Sequence, residues 1–435
     1  MAELIVFKCP SCGGKLEFNA GQQEMVCPFC DSAIDVAALQ AMDAVLNEQQ
    51  ANAGGGFEAQ TGEEWSQGET AGMRVYHCQT CGGEVMADET TSATTCPYCD
   101  NPVVMSGQLS GDLKPELVIP FKLDKEAAKK ALMQHMSGKF LLPKVFSSEN
   151  HIDEIKGVYV PVWLFEAGTD SQMLYKGEKT RRWSDNKFDY VEHKYYSAVR
   201  AGTMSFENVP VDGSSKMDDT MMESLEPFDM KDAQNFSMAY LSGYLADKYD
   251  VSAEDNMPHA EERMQESVRS AFEETLREYD HFERQSESIN FSEGKVRYVL
   301  YPVWLLNTSW NGTNYHFGMN GQTGKFVGDL PIDKAKATLT FLIATAIAGA
   351  LSFLIGSKLA KNGLSIVGII VCILIALLIG GLVLAGFASS LKSVRAEHQA
   401  ENYIKEKLNL SQKNDRYLYT KVEKTARPQQ QSQNN

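Results

Sequence analysis

The longest apolar stretches of the chain lie near its C-terminal end. Ala337 to Ser357 and Leu364 to Leu391 each carry no charged residue. About 20 apolar residues suffice to cross a bilayer core as helix, so both runs are long enough, and the second has length to spare for tilt. Six residues, Lys358 to Gly363, separate them. The pattern therefore predicts two antiparallel helices, a transmembrane hairpin with both chain ends on one side. A pair of buried helices in a soluble core is the alternative, but such helices seldom run this far without a charge. Thr340, Thr345, Gly349, Ser352, Gly380 and Gly381 are the small and hydroxyl residues that let membrane helices pack closely.

Upstream the pattern is mixed. VIPFKLDKEAAKKALMQHMSG predicts a strand and then a helix. Asp124 can cap it, Ala128, Leu132 and Met136 recur at four-residue spacing, and Gly138 stops it. Aromatic β segments follow at 158–165, 173–176, 188–191, 195–199 and 299–306. The first and last share PVWL, 141 residues apart, which fits two strands of one sheet with proline at an edge or bulge. Pro258 to Gln285 reads as one long charged helix. Its apolar stripe (Met264, Val268, Ala271, Phe272, Leu276, Tyr279) suits packing on the sheet; a groove helix for a partner is the alternative. Val394 to Leu410 can continue as a polar helix, and TARPQQQSQNN at the end reads as disordered by composition.

Eight of the nine cysteines form two quartets, Cys9, Cys12, Cys27, Cys30 and Cys78, Cys81, Cys96, Cys99. Each is C-x2-C-x14-C-x2-C, and the second repeats the first after 69 residues, an internal duplication. Each C-x2-C-G is a tight turn that aims two thiolates at one point. Two such turns complete a tetrahedral S4 site, which favours Zn. The spacing holds short β runs, such as 15–18 and 24–26, so each unit reads as a zinc ribbon. A unit that small relies on its metal for much of its folding energy. Four cysteines per site leave no open coordination position, so the metal is read as structural. A disulfide framework and a rubredoxin-like iron site are the alternatives. The Gly-, Glu-, Gln- and Thr-rich stretch 51–72 reads as a flexible linker that leaves the ribbons tethered rather than fused, and 37–50 as a short helix before it.

Charge narrows the function. The net charge is -16, with residues 1–336 at -22 and the tail from Lys392 at +4. Each ribbon is itself -3. A nucleic-acid ribbon needs a basic face, so protein binding is the better reading. MAELIVFKCP lacks the features of a signal peptide, and reduced thiolates point to the cytosol. Lysine counts on the two sides of the hairpin do not decide its orientation. No Walker-type, H-E-x-x-H or G-x-S-x-G motif occurs; Gly321 to Lys325 (GQTGK) lacks the Walker spacing. His77 reads as solvent-facing, and Cys372 as a small apolar residue within the second membrane helix. With no charge inside either span, an ion or proton pathway is unsupported.

The paired CPxC knuckles, IPFKLDKEAAKKAL, GVYVPVWLFEAG, YPVWLLNTSWNGTNYHFGMNGQTGK and the C-terminal hairpin together resemble a YdjG-like family of bacterial zinc-ribbon membrane proteins. The likeness covers nearly the whole chain. It implies a gene setting beside homologues of phage shock protein A, a coiled-coil, ESCRT-III-like membrane-remodelling protein that the family helps hold at the inner membrane face under envelope stress. Some members carry a primosomal helicase label, but this sequence has no helicase motor.

The expected chain is multidomain: zinc ribbon 1 (1–36), helix and linker (37–73), zinc ribbon 2 (74–105), an α+β docking domain with an antiparallel sheet (106–336), a transmembrane hairpin (337–357 and 364–391), and a tail (392–435). The eight quartet cysteines hold two Zn2+ ions, with no catalytic residue. The expected function is a non-enzymatic adaptor in the bacterial inner membrane, both termini cytoplasmic, holding that cytosolic protein, with oligomerisation through the hairpin open. A membrane-tethered nucleic-acid-binding, transcription- or replication-related factor is the alternative. An enzyme with its site in the aromatic middle domain is a third, though no motif nominates a residue.

Overall fold

The computed structural model describes residues 14–29, 33–36, 65, 73–88, 96–99, 101, 103–107, 113–144, 155–292, 294–310, 312–359, 365–395 and 399–427. The helix expected at 37–50 and nearly all of the linker lie outside the described residues. In chain order the elements are β1 (Glu17–Asn19), β2 (Glu24–Val26), β3 (Ala33–Asp35), β4 (Met73–His77), β5 (Glu84–Asp88), β6 (Val104–Gly107) and β7 (Leu117–Val118). Then come α1 (Lys125–Met136), β8 (Lys156–Ser184), β9 (Phe188–Asp212), α2 (Asp219–Leu225), β10 (Gln234–Asn235), β11 (Leu245–Asp247) and α3 (Ala253–Glu274). Last are β12 (His281–Phe291), β13 (Lys295–Trp310), β14 (Thr313–Asn320), β15 (Phe326–Val327), α4 (Lys334–Leu359), α5 (Ile366–Ser389) and β16 (Ile404–Ala426). They group into two units interleaved in sequence. One holds 1–161, 214–250 and 299–396; the other holds 162–213, 251–298 and 397–435.

In the first unit, β1, β2 and β3 form a small antiparallel sheet. A larger sheet includes β13 and β11, each in a parallel pair, β7 with β13 and β11 with β8. The antiparallel sheet expected from the sequence is thus mixed at these two places. The two strands that carry PVWL are neighbours in one sheet, as their shared pattern predicts. Phe121 anchors the core. It stacks on Tyr244 with centroids 4.2 Å apart and meets Tyr159 and Trp304 edge-on at 5.0 and 5.1 Å. Such pairs add about 0.5–1.5 kcal/mol each beyond their burial. A side chain at Gly321 would come within 2.5 Å of the Phe121 ring, so only glycine fits there.

Helix α1 forms as its pattern predicts. Asp124 accepts a hydrogen bond from the Ala127 N–H at 2.8 Å, Ala128 and Leu132 are buried, and Gly138 takes φ +71° just past the end. Helices α4 and α5 are long and apolar enough to cross a membrane. Residue pairs Ser352–Cys372, Gly349–Ala376 and Thr345–Gly380 make them antiparallel. Leu339, Leu342, Leu374 and Leu382 are each more than half exposed, so the pair keeps its large side chains outside and its small ones within. The chain enters and leaves the pair through backbone bonds to the same body: Leu330 N–H to the Leu391 carbonyl at 2.9 Å and Asp333 N–H to that of Leu141 at 2.8 Å.

In the second unit, β12, β8, β9 and β16 pair in that order, all antiparallel. Two expectations fail here. The charged helix is not one element over 258–285. It starts at Ala253, where the Ser252 hydroxyl caps the Asp255 N–H at 3.1 Å, and it ends at Glu274. His281 to Gln285 belong to β12. The Ser252 cap outweighs the proline-first reading, and Pro258 lies inside the helix, in its second turn, at the cost of one backbone hydrogen bond. The stripe does pack on the sheet: Met264, Val268, Phe272, Leu276 and Tyr279 are buried, each large aliphatic or aromatic side chain contributing about 1.5–3 kcal/mol.

The second failure is the tail. Residues 404–426 form a strand along β9 instead of a helix over 394–410. Alternation through KLNLS is the period-2 signal that the helical reading passed over. Thr425 and Ala426 close that strand; residues 428–435 lie outside the described residues. Arg200, wholly buried, ties β16 in place. Its Nη1 and Nη2 donate to the two Asp415 oxygens at 2.5 and 3.2 Å, and its Nε to Thr275 Oγ1 at 3.2 Å.

Candidate metal centre

The second cysteine quartet converges. Strand β4 ends at His77, and the chain turns back through Cys78 and Cys81 to β5. The Gly82 N–H donates to the Cys78 carbonyl at 2.8 Å, the Cys78 N–H donates to that of Gly83 at 2.9 Å, and Gly82 takes φ +74°. This is the backbone that the C-x2-C-G pattern requires. A second turn brings in Cys96 and Cys99. The Cys96 N–H donates to the Asn101 carbonyl at 2.8 Å, and the Tyr98 N–H to Cys96 Sγ at 3.4 Å. Cys78 and Cys99 sulfurs are 3.5 Å apart, those of Cys81 and Cys96 3.6 Å, and all four lie within 4.8 Å of one another.

A tetrahedral ion with metal–sulfur bonds of about 2.3 Å sets sulfurs about 3.8 Å apart. Two sulfur pairs stand near that spacing and the whole set lies within 4.8 Å, so Cys78, Cys81, Cys96 and Cys99 could hold one metal ion. Their acidities fit as well. Burial pushes the Cys81 and Cys96 thiols up. At Cys78 burial is outweighed by the N–H groups of Cys81 and Thr80 and by the Cys99 thiol, which bring it down to about 7. Packed thiols in this state hold four negative charges only beside a cation.

Of the first quartet, Cys27 is buried just after β2; Cys9, Cys12 and Cys30 lie outside the described residues. His77 is half-buried and near Glu84 across the hairpin, 3.8 Å away. Cys372 donates to the Ser352 carbonyl at 3.5 Å between α4 and α5. Gly321 to Lys325 form a turn whose Gln322 and Thr323 N–H groups donate to Asn320 Oδ1 at 2.9 Å each, and so make no phosphate cradle.

The surroundings of the quartet hold what the sequence did not suggest. The hairpin is fused to the body: β5 pairs with β11 through Ala246–Met86 and Asp247–Val85. Lys156 Nζ donates to the Cys96 carbonyl at 3.2 Å, and Asn307 Nδ2 to that of Pro97. Lys216 reaches within 4.0 Å of where a Gly82 side chain would start. Two cations thus stand beside the quartet, where they would offset the charge of metal-bound thiolates. Asp247 is wholly buried on β11, and burial pushes its carboxyl up to about 7 against the pull of the Ser214 and Tyr98 hydroxyls. No local motif marks Lys156, Lys216 or Asp247, because each reaches the quartet from a distant segment.

No protein-family model and no solved structure matches the chain. It is 32% identical over 238 residues to "Uncharacterized protein YdjG" of Bacillus subtilis (strain 168), a match spanning 55% of this chain and 70% of that protein. At that identity and coverage, the chain belongs to the YdjG family.

Proposed function

We propose that this protein is a membrane-anchored zinc-ribbon adaptor without catalytic activity. Helices α4 and α5 cross the bacterial inner membrane, with both termini in the cytosol. Each cysteine quartet holds one Zn2+, the first through Cys9, Cys12, Cys27 and Cys30. The body holds a cytosolic coiled-coil protein of the phage-shock-protein-A or ESCRT-III-like kind at the membrane face during envelope stress. The observation that carries the reading is the join of two parts. A four-thiol centre with no open position for chemistry is built into the same unit as two helices whose apolar side chains face outward. A closed centre supplies structure and not turnover, and an all-round apolar helix pair needs lipid around it. The acidic charge of residues 1–336 favours a basic protein surface over nucleic acid.

The test is affinity capture of the solubilised full chain after mild crosslinking in cells, with nuclease treatment. A parallel capture uses Cys78→Ser with Cys81→Ser, and zinc per chain is measured on both samples. The expected result is loss of one zinc equivalent in the variant, together with loss of a captured coiled-coil membrane-remodelling protein. Replication or transcription proteins that vanish with nuclease would replace the adaptor reading with the nucleic-acid one.

A further inference from the structure

One end of the second unit's sheet, where β8 turns into β9 and β16 finishes, has a composition unlike the rest of the chain. The turn is rigid. Asp185 accepts hydrogen bonds from the Lys187 and Phe188 N–H groups, both at 2.7 Å, and from the Tyr190 hydroxyl at 2.9 Å. Trp183 lies flat against Tyr190, ring centroids 5.4 Å apart and planes 8° from parallel. The Arg181 guanidinium sits 5.8 Å over Trp183, and Lys424 Nζ 3.7 Å over Phe188. Trp183 is 40% exposed, while the other four tryptophans are buried or half-buried.

On a chain of net charge -16, residues 181–190 and 421–427 hold six Lys and Arg against three Asp and Glu. The three acids are committed: Asp185 to the turn, Asp189 to Arg427 at 2.8 Å, and Glu423 to Lys421 at 2.7 Å. Arg182 and Lys187 are exposed and make no ion pair among the described residues.

We infer that this tip binds an anionic lipid surface. Trp183 and Tyr190 seat at headgroup level, and Arg182, Lys187 and Lys424 meet the phosphate groups. A lipid interface offers both halves of the match, since amphipathic rings favour that depth and cations gain from the surface potential beside it. An acidic peptide would satisfy the cations and leave the flat Trp183 face in water. A nucleic-acid strand needs a basic track that follows its backbone, and here the excess is confined to a turn. The choice of lipid rests on the membrane reading of α4 and α5, because a chain anchored in a bilayer always has lipid at hand.

The test uses the full chain reconstituted into nanodiscs of phosphatidylcholine, alone or mixed with phosphatidylglycerol. Vesicles of either composition are added in a second arm. Incorporation reports on the membrane reading. Acrylamide quenching of tryptophan fluorescence, with Trp183→Phe measured alongside to isolate the Trp183 signal, reports on the tip. Phosphatidylglycerol, in the disc or in the vesicle, should shield Trp183 several-fold. High salt should reverse this, and Arg182→Gln/Lys187→Gln/Lys424→Gln should weaken it by about a hundredfold in lipid concentration. Equal quenching with both lipids in both arms overturns the inference while leaving the anchor intact. Shielding by polyglutamate or single-stranded DNA, but not by phosphatidylglycerol, also overturns it. A chain that stays in solution removes the membrane reading instead, and the same vesicles then test the tip directly.

Discussion

Replacing Asp415 with alanine is expected to loosen β16 from the sheet. Arg200 is wholly buried, and two of its five N–H donors are satisfied by the Asp415 carboxylate, at 2.5 and 3.2 Å. Its remaining partners, the Val199 carbonyl at 3.0 Å and Thr275 Oγ1 at 3.2 Å, are neutral. The variant therefore leaves a buried cation without a counter-charge. Breaking a buried pair from one side costs about 3–5 kcal/mol. Asp415 is itself 24% exposed, so water can reach part of the vacancy, and about 3 kcal/mol is the better figure. That corresponds to roughly a hundredfold rise in local opening. Hydrogen exchange on the full chain, followed through the amides of 404–426, measures it. Arg200→Met with Asp415→Leu removes both charges and should recover most of the protection, because an apolar pair of similar volume has no desolvation cost. Unchanged exchange in the single variant, or a double variant no better protected than the single, would refute the account of Arg200 as the tie.

Two further outcomes follow from packing and burial. A side chain at Gly380 would collide with the Thr345 hydroxyl, whereas one at Gly381 would meet nothing within 4 Å. Gly380→Leu should therefore lower resistance to SDS unfolding by about 1–3 kcal/mol, and Gly381→Leu should leave it within about 0.5 kcal/mol; equal effects would show that the helices do not pack at Gly380. For Asp247, burial raises the carboxyl from its ordinary 3.8 to about 7. The folded state then holds the proton more tightly than the unfolded chain. Stability is full below the unfolded value, falls as pH rises toward 7, and levels off above it. Asp247→Asn should flatten the decline seen in wild type between about pH 5.5 and 7 in urea unfolding; parallel profiles for the two proteins would mean that Asp247 is already ionised there.

What could be read from the sequence is what local chemistry determines. The apolar runs, the Asp124 and Gly138 boundaries of α1 and the glycine-shaped Cys78–Gly83 turn each depend on neighbours within a few residues. The stripe on α3 is legible because a helix repeats its face, but its start is not. A proline marks a permitted helix start, but the Ser252 side chain decides the actual one. The tail is not legible in this way, because its strand character depends on β9. Ile404, Leu408 and Leu410 fit either period, and only the open edge of a strand about 200 positions earlier selects the extended form. Arg200 and Asp415 are 215 residues apart, so neither could announce the other.

The fused hairpin bears on how a metal-dependent adaptor would work. A ribbon on a loose tether could lose its ion and unfold without disturbing anything else. Here β5 is hydrogen-bonded to β11, and β11 in turn to β8, the strand that begins beside the Phe121–Tyr159 core. Ala246 and Asp247 are both buried between these neighbours. Without its metal the short β4–β5 hairpin lacks the crosslink that a unit of its size needs. Its departure would expose one edge of β11 and hydrate a carboxyl that burial keeps near neutrality. An open edge of this kind is a template for pairing with another strand. An ion held by Cys78, Cys81, Cys96 and Cys99 would therefore also close a sheet edge in the unit that carries α4 and α5. Metal loss would reach the body through backbone hydrogen bonds rather than through a flexible linker.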